Sequence, residues 1–155
     1  MIKNILKFFS GVFGFLFILY FSGPQVASPE RYKILPAVPQ DLVELSNWID
    51  TKEAQVEDLK KGNEGRIEFF DSIPKKTEYS VIYFHGFSAS SEEGAPFHTD
   101  VAKHFKANLY LPRLFGHGIG GENPLRDFTA DAYLESAREA LALSLIHISE
   151  PTRRS

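Results

Sequence analysis

The chain has no cysteine. Disulfide staples, thiolate-ligated zinc, a thiol nucleophile and lipoprotein anchoring through an N-terminal Cys are therefore excluded, while the compartment stays open. Glycine and proline total 20 of 155 residues, too few for a disordered or fibrous chain, and 43% hydrophobic content suffices for one globular core. Clustered basic residues are missing too. The net charge is −3, and once Lys3 and Lys7 at one end and Glu150, Arg153 and Arg154 at the other are set aside, residues 24–142 carry −6. Nucleic acid is thus not the main partner, because phosphate binding needs concentrated Lys and Arg. No H-E-x-x-H occurs, and His98 and His104, with Asp100, are spaced i, i+6, which does not put both imidazoles on one helical face. They read as exposed helix residues, and no metal is expected.

Charge is absent again from Phe8 to Pro29. Residues 2–21 as a helix would span about 30 Å, with Lys3 and Lys7 reaching the headgroups, which predicts a transmembrane anchor over residues 1–23. A cleaved signal peptide is the alternative, its best site being Val26-Ala27-Ser28, although Pro29 should obstruct cleavage. In either case the Lys pair lies on the cytoplasmic side. The remainder is then anchored outside the cytoplasm, or secreted after cleavage.

Residues 24–40 hold Pro24, Pro29, Pro36 and Pro39 and read as an extended tether. Asp41 is placed to cap a helix, with Glu44 at the capping-box position. Leu42, Leu45, Trp48, Ile49, Val56 and Leu59 follow at helical spacing, giving one helix or two short ones before Gly62. Residues 66–70 alternate as a strand does, residues 79–84 suit a strand buried on both faces, and residues 109–111 make a short strand. Phe97, Val101, Ala102 and Phe105 form a helical stripe. A strong helix covers residues 130–143, with Tyr133, Leu134, Ala137, Ala140 and Leu141 on one side. Strands alternating with helices predict an α/β fold, a parallel sheet with flanking helices.

The second strand runs directly into His85-Gly86-Phe87-Ser88, and open parallel sheets bind ligands beyond the carboxyl ends of their strands. Val81-Ile82-Tyr83-Phe84-His85-Gly86-Phe87 resembles the third strand and oxyanion loop of α/β-hydrolases. Leu111-Pro112-Arg113-Leu114-Phe115-Gly116-His117-Gly118 resembles the loop after their fourth strand, with its G-H-G turn. The resemblance covers residues 41–142 and is nearest to carboxylesterases and monoacylglycerol-lipase-like members. It implies acyl transfer by a Ser nucleophile, a His base and an acidic partner, with developing negative charge held by two backbone N–H groups. One donor maps to Phe87, supported by the His85-Gly86 loop. His85 and His117 would brace the loops through backbone hydrogen bonds, Gly116 and Gly118 would shape the second turn, and Ser88 would line the substrate pocket. No cofactor is implied. The expected substrate is a small or lipidic ester.

The family's nucleophile sits on a G-x-S-x-G elbow after the fifth strand, and no such elbow occurs here. Gly86-Phe87-Ser88-Ala89-Ser90 matches only partly, ending in Ser where the sharp turn wants Gly, and it follows the wrong strand. Residues 143–153, Leu-Ser-Leu-Ile-His-Ile-Ser-Glu-Pro-Thr-Arg, resemble one translated reading frame of the adapter used in transposon-based sequencing libraries. Residues 143–155 are therefore expected to be non-native, and the chain to be an inactive N-terminal fragment of an esterase. Two other readings compete with this one. Gly116-His117-Gly118-Ile119-Gly120-Gly121 satisfies the dinucleotide pattern G-x-G-x-x-G, but Glu122-Asn123-Pro124 follows in place of a helix. A non-catalytic anchored scaffold with a hydrolase-like fold is the second.

Overall fold

The computed structural model describes residues 2–23 and 34–149. The cleavage site, most of the expected tether and residues 150–155 lie outside them. Helix α1 (Ile2–Ser22) is followed by α2 (Leu42–Ala54), β1 (Arg66–Glu68), β2 (Ser80–Ile82), a 3-10 turn (Ser91–Gly94), α3 (Phe97–Phe105), β3 (Asn108–Leu111) and α4 (Ala130–His147). Within α1, Lys3–Ser22 is long and apolar enough to cross a membrane, and no part of it is buried against the protein. Such a helix is compatible with an anchor or a signal sequence.

The three strands lie in the order β1-β3-β2. β2 pairs with β3 in parallel, Val81 opposite Leu109, and the 3-10 turn and α3 make the crossover between them. β1 pairs with β3 antiparallel, Ile67 opposite Tyr110, so the sheet is mixed where a parallel one was expected. Alternation of apolar residues sets which side chains share a face but says nothing of strand direction.

β3 is the central strand, and all four of its residues are buried. Its side chains alternate between two cores. Tyr110 joins Leu42, Leu45 and Ile49 of α2 and Ala140 and Leu143 of α4, whereas Leu109 and Leu111 pack with Ala102 of α3 and with Val81 and Tyr83. Two helices thus cover one face of the sheet and one helix the other. Each fully buried Leu stabilises this arrangement by about 2 kcal/mol.

The expected stripes are shifted in three elements. β2 is an edge strand of three half-buried residues, not a strand buried on both faces over residues 79–84, because only one neighbour shields it. In α3, Phe97 and Phe105 are exposed and His98 is buried, its Nε2 donating to the Ser91 carbonyl and its Nδ1 accepting from the Thr99 hydroxyl, both at 3.0 Å. His104 and Asp100 are exposed. His98 therefore departs from its reading as an exposed residue. Helix α2 stops at Ala54, and Leu59 beyond it pairs with Ile119.

α4 runs four residues past Leu143, into the segment expected to be non-native. There Leu143, Ser144 and His147 are buried while Leu141 is exposed. Ser144 Oγ lies 2.7 Å from Ser80 Oγ. Beyond the helix, Ser149 N–H donates to the Thr77 carbonyl at 2.8 Å, and Thr77 N–H to the His147 carbonyl at 2.9 Å.

Candidate active site

Beyond β2 the chain reverses in a turn at 86–89, closed by Ala89 N–H donating to the Gly86 carbonyl at 3.1 Å. Ser88 has φ +63° whereas Phe87 is not left-handed, the signature of a type II turn. Ser occupies the position that usually takes Gly. The turn's amides have different fates. Gly86 N–H donates to Glu93 Oε2 at 2.7 Å, and Ser88 N–H donates to His117 Nε2 at 3.0 Å. The Phe87 N–H meets no acceptor among the described residues. It is the one amide among residues 86–89 left for a ligand.

His85 and His117 hold the two loops together. Each ring is buried. His117 Nε2 receives the Ser88 N–H, so its proton is on Nδ1, which donates to the Phe115 carbonyl at 2.8 Å. His85 Nε2 likewise accepts Leu114 N–H at 3.3 Å, and its Nδ1 donates to the Gly86 carbonyl at 3.0 Å. Burial lowers the His85 pKa, keeping the ring neutral as this pattern requires. The ring centroids are 4.9 Å apart. With both nitrogens of each ring engaged, neither imidazole can act as a general base without giving up a loop contact. Ser88 accordingly has a hydroxyl but no base, and no hydrogen bond to that hydroxyl is formed among the described residues.

The second turn depends on glycine. Gly116 and Gly118 have φ +75° and +73°, and a Cβ on Gly118 would come within 2.9 Å of the Asn63 Cβ. The Phe87 ring, 65% exposed, meets the rings of His117 and Phe128 edge-on at 5.7 and 5.2 Å, which gives the loop pair an aromatic wall.

Three polar residues of the site carry no recognisable sequence signal for their roles. Glu93 fixes Gly86. Arg113, although it stands inside the second motif, showed no role there; its Nε donates to Glu53 Oε2 at 2.6 Å and its Nη1 to the His117 carbonyl at 3.3 Å. A chain of contacts thus runs from Glu53 on α2 through Arg113 and His117 to Ser88. Pairings over such separations are set by the fold, and no local spacing encodes them.

Of the rival chemistries, no group of three or more His, Cys, Asp or Glu that could hold a metal ion occurs among the described residues. After Gly121 no helix begins until Ala130, so the G-x-G-x-x-G run does not open a helix N-terminus. No family model, no curated protein and no solved structure matches this chain.

Proposed function

We propose that this chain is the N-terminal part of a membrane-anchored serine hydrolase of the α/β-hydrolase family that cleaves carboxylic esters, with acylglycerols or similar lipidic esters as substrates. The observation that carries this reading is the unpaired Phe87 N–H in a turn whose other amides are bonded. During ester cleavage a serine hydroxyl attacks the acyl carbon while a base takes its proton, and the carbonyl oxygen gains negative charge. A fixed, unoccupied amide lowers the barrier only if it meets that oxygen without reorganising. His85, His117 and Glu93 restrain the turn before substrate arrives. In this reading the nucleophile, the base, the acidic partner and the second oxyanion donor lie in natural sequence beyond residue 142, and residues 143–155 are foreign.

The test is a pair of substitutions in the complete enzyme. Phe87 stands at the second position of a type II turn, where proline's fixed φ is well suited, and its N–H makes no bond that proline would break. Phe87→Pro should keep the fold and lower turnover by about 10² to 10³, whereas Phe87→Ala keeps the donor and should alter mainly substrate binding. Turnover unchanged in a folded Phe87→Pro enzyme would reject the assignment.

A further inference from the structure

The space between the 86–89 turn and the 116–118 turn is a cleft of about 90 Å³, bordered by Lys60, Ser88, Gly116, His117, Gly118 and Leu125 and by no carboxylate. Its donors are numerous for its size. Backbone φ is positive at Gly116 and Gly118 and not at the intervening His117. His117 N–H is taken by the Leu114 carbonyl at 3.0 Å, but the N–H groups of Gly116, Gly118 and Ile119 have no acceptor among the described residues. The Ser88 hydroxyl is likewise without a partner there. Lys60 is held at the rim by its own backbone, whose N–H donates to the Gly118 carbonyl at 2.9 Å, and its ammonium forms no ion pair among the described residues.

We propose that this cleft is an anion site that takes the carboxylate or phosphate group of a small molecule. A cation without an ion pair, a free hydroxyl and amides without acceptors among the described residues border it, and no acid lines it. The volume suits one trigonal or tetrahedral oxyanion group. The site does not depend on the ester-hydrolase reading.

The full chain, ¹⁵N-labelled in detergent micelles, is titrated with inorganic phosphate and, separately, with acetate, ionic strength being held constant with sodium chloride. Saturable shifts of the Gly118 and Ile119 amide signals at millimolar anion are expected. Saturation by phosphate alone assigns a phosphate source, and saturation by both a carboxylate-sized site. Lys60 is exposed, so Lys60→Gln should leave the spectrum otherwise intact and weaken binding about tenfold, the worth of one charge-assisted hydrogen bond. Ser88→Gly removes the hydroxyl while easing the positive φ, and should weaken binding by a smaller factor. Shifts that chloride reproduces equally, or unchanged affinity in Lys60→Gln, would overturn the proposal.

Discussion

His147 is fully buried against Phe69, and neither ring nitrogen meets a partner. Burial pushes its pKa down from 6.5 to about 4. Between these values the unfolded chain binds a proton that the folded chain refuses, so stability present above pH 6.5 falls as pH drops toward 4. The loss amounts to about 3 kcal/mol over that window. His147→Leu should remove its share of the pH dependence, leaving that of His85, and raise the urea midpoint at neutral pH, since an unsatisfied buried polar side chain costs about 1 to 3 kcal/mol. A pH profile identical to the parent's would exclude His147 as its source. The Glu53–Arg113 pair presents the opposite case, two buried charges that satisfy each other. Glu53→Leu alone should destabilise by about 3 kcal/mol because it strands the guanidinium, whereas Glu53→Leu with Arg113→Met should recover most of that loss. Denaturant midpoints of the two single variants and the double variant measure the coupling. The glycines and histidines of both turns were legible in the sequence through the resemblance of two short, contiguous motifs. Glu53 and Glu93 were not, since their partners are fixed only once the elements pack.

Helix α2 was the most legible element because its start signal is chemical. The Asp41 carboxylate accepts Val43 N–H at 2.9 Å and Glu44 N–H at 3.0 Å. Asp41→Ala should therefore cost about 1 kcal/mol, read as a lower thermal midpoint, and Asp41→Ser much less. No change on Asp41→Ala would mean that packing of Leu42, Leu45 and Ile49 alone sets this helix. For α3 the sequence pattern misled. Its apolar residues Phe97 and Phe105 flank the buried face, which is made instead by His98 and Ala102, the burial of His98 being permitted because both of its ring nitrogens are hydrogen-bonded. β2 and β1 show the limits of periodicity. A β-branched and aromatic run records the burial a strand is suited to, and in β2 the single neighbouring strand exposes Tyr79 and Phe84. The direction of β1 comes from pairing with β3, which its own residues do not encode.

At the scale of the molecule, the longest run of exposed apolar side chains lies along α1, and Tyr79 and Phe84 add exposed aromatic surface on either side of β2. α1 exposes Phe8, Phe13, Phe17 and Phe21 along its length. The chain should fractionate with membranes and resist salt extraction, and deleting residues 1–28 should release it. Mass spectrometry that maps a mature N-terminus within residues 22–30 would show a cleaved signal instead. The released domain should self-associate as its concentration rises, because among the described residues β2 has a strand on one side only and exposed aromatic side chains flank it. A catalytic role for the 86–89 turn requires a nucleophile delivered next to it, and β2's open edge is where a further parallel strand can pair and carry one. The genomic reading frame beyond codon 142 tests this most directly. The account predicts that it departs from residues 143–155 as written here and encodes a strand followed by a G-x-S-x-G elbow, with a downstream acid and His. A genomic frame that reproduces residues 143–155, or an elbow without Ser, Cys or Asp, would contradict it.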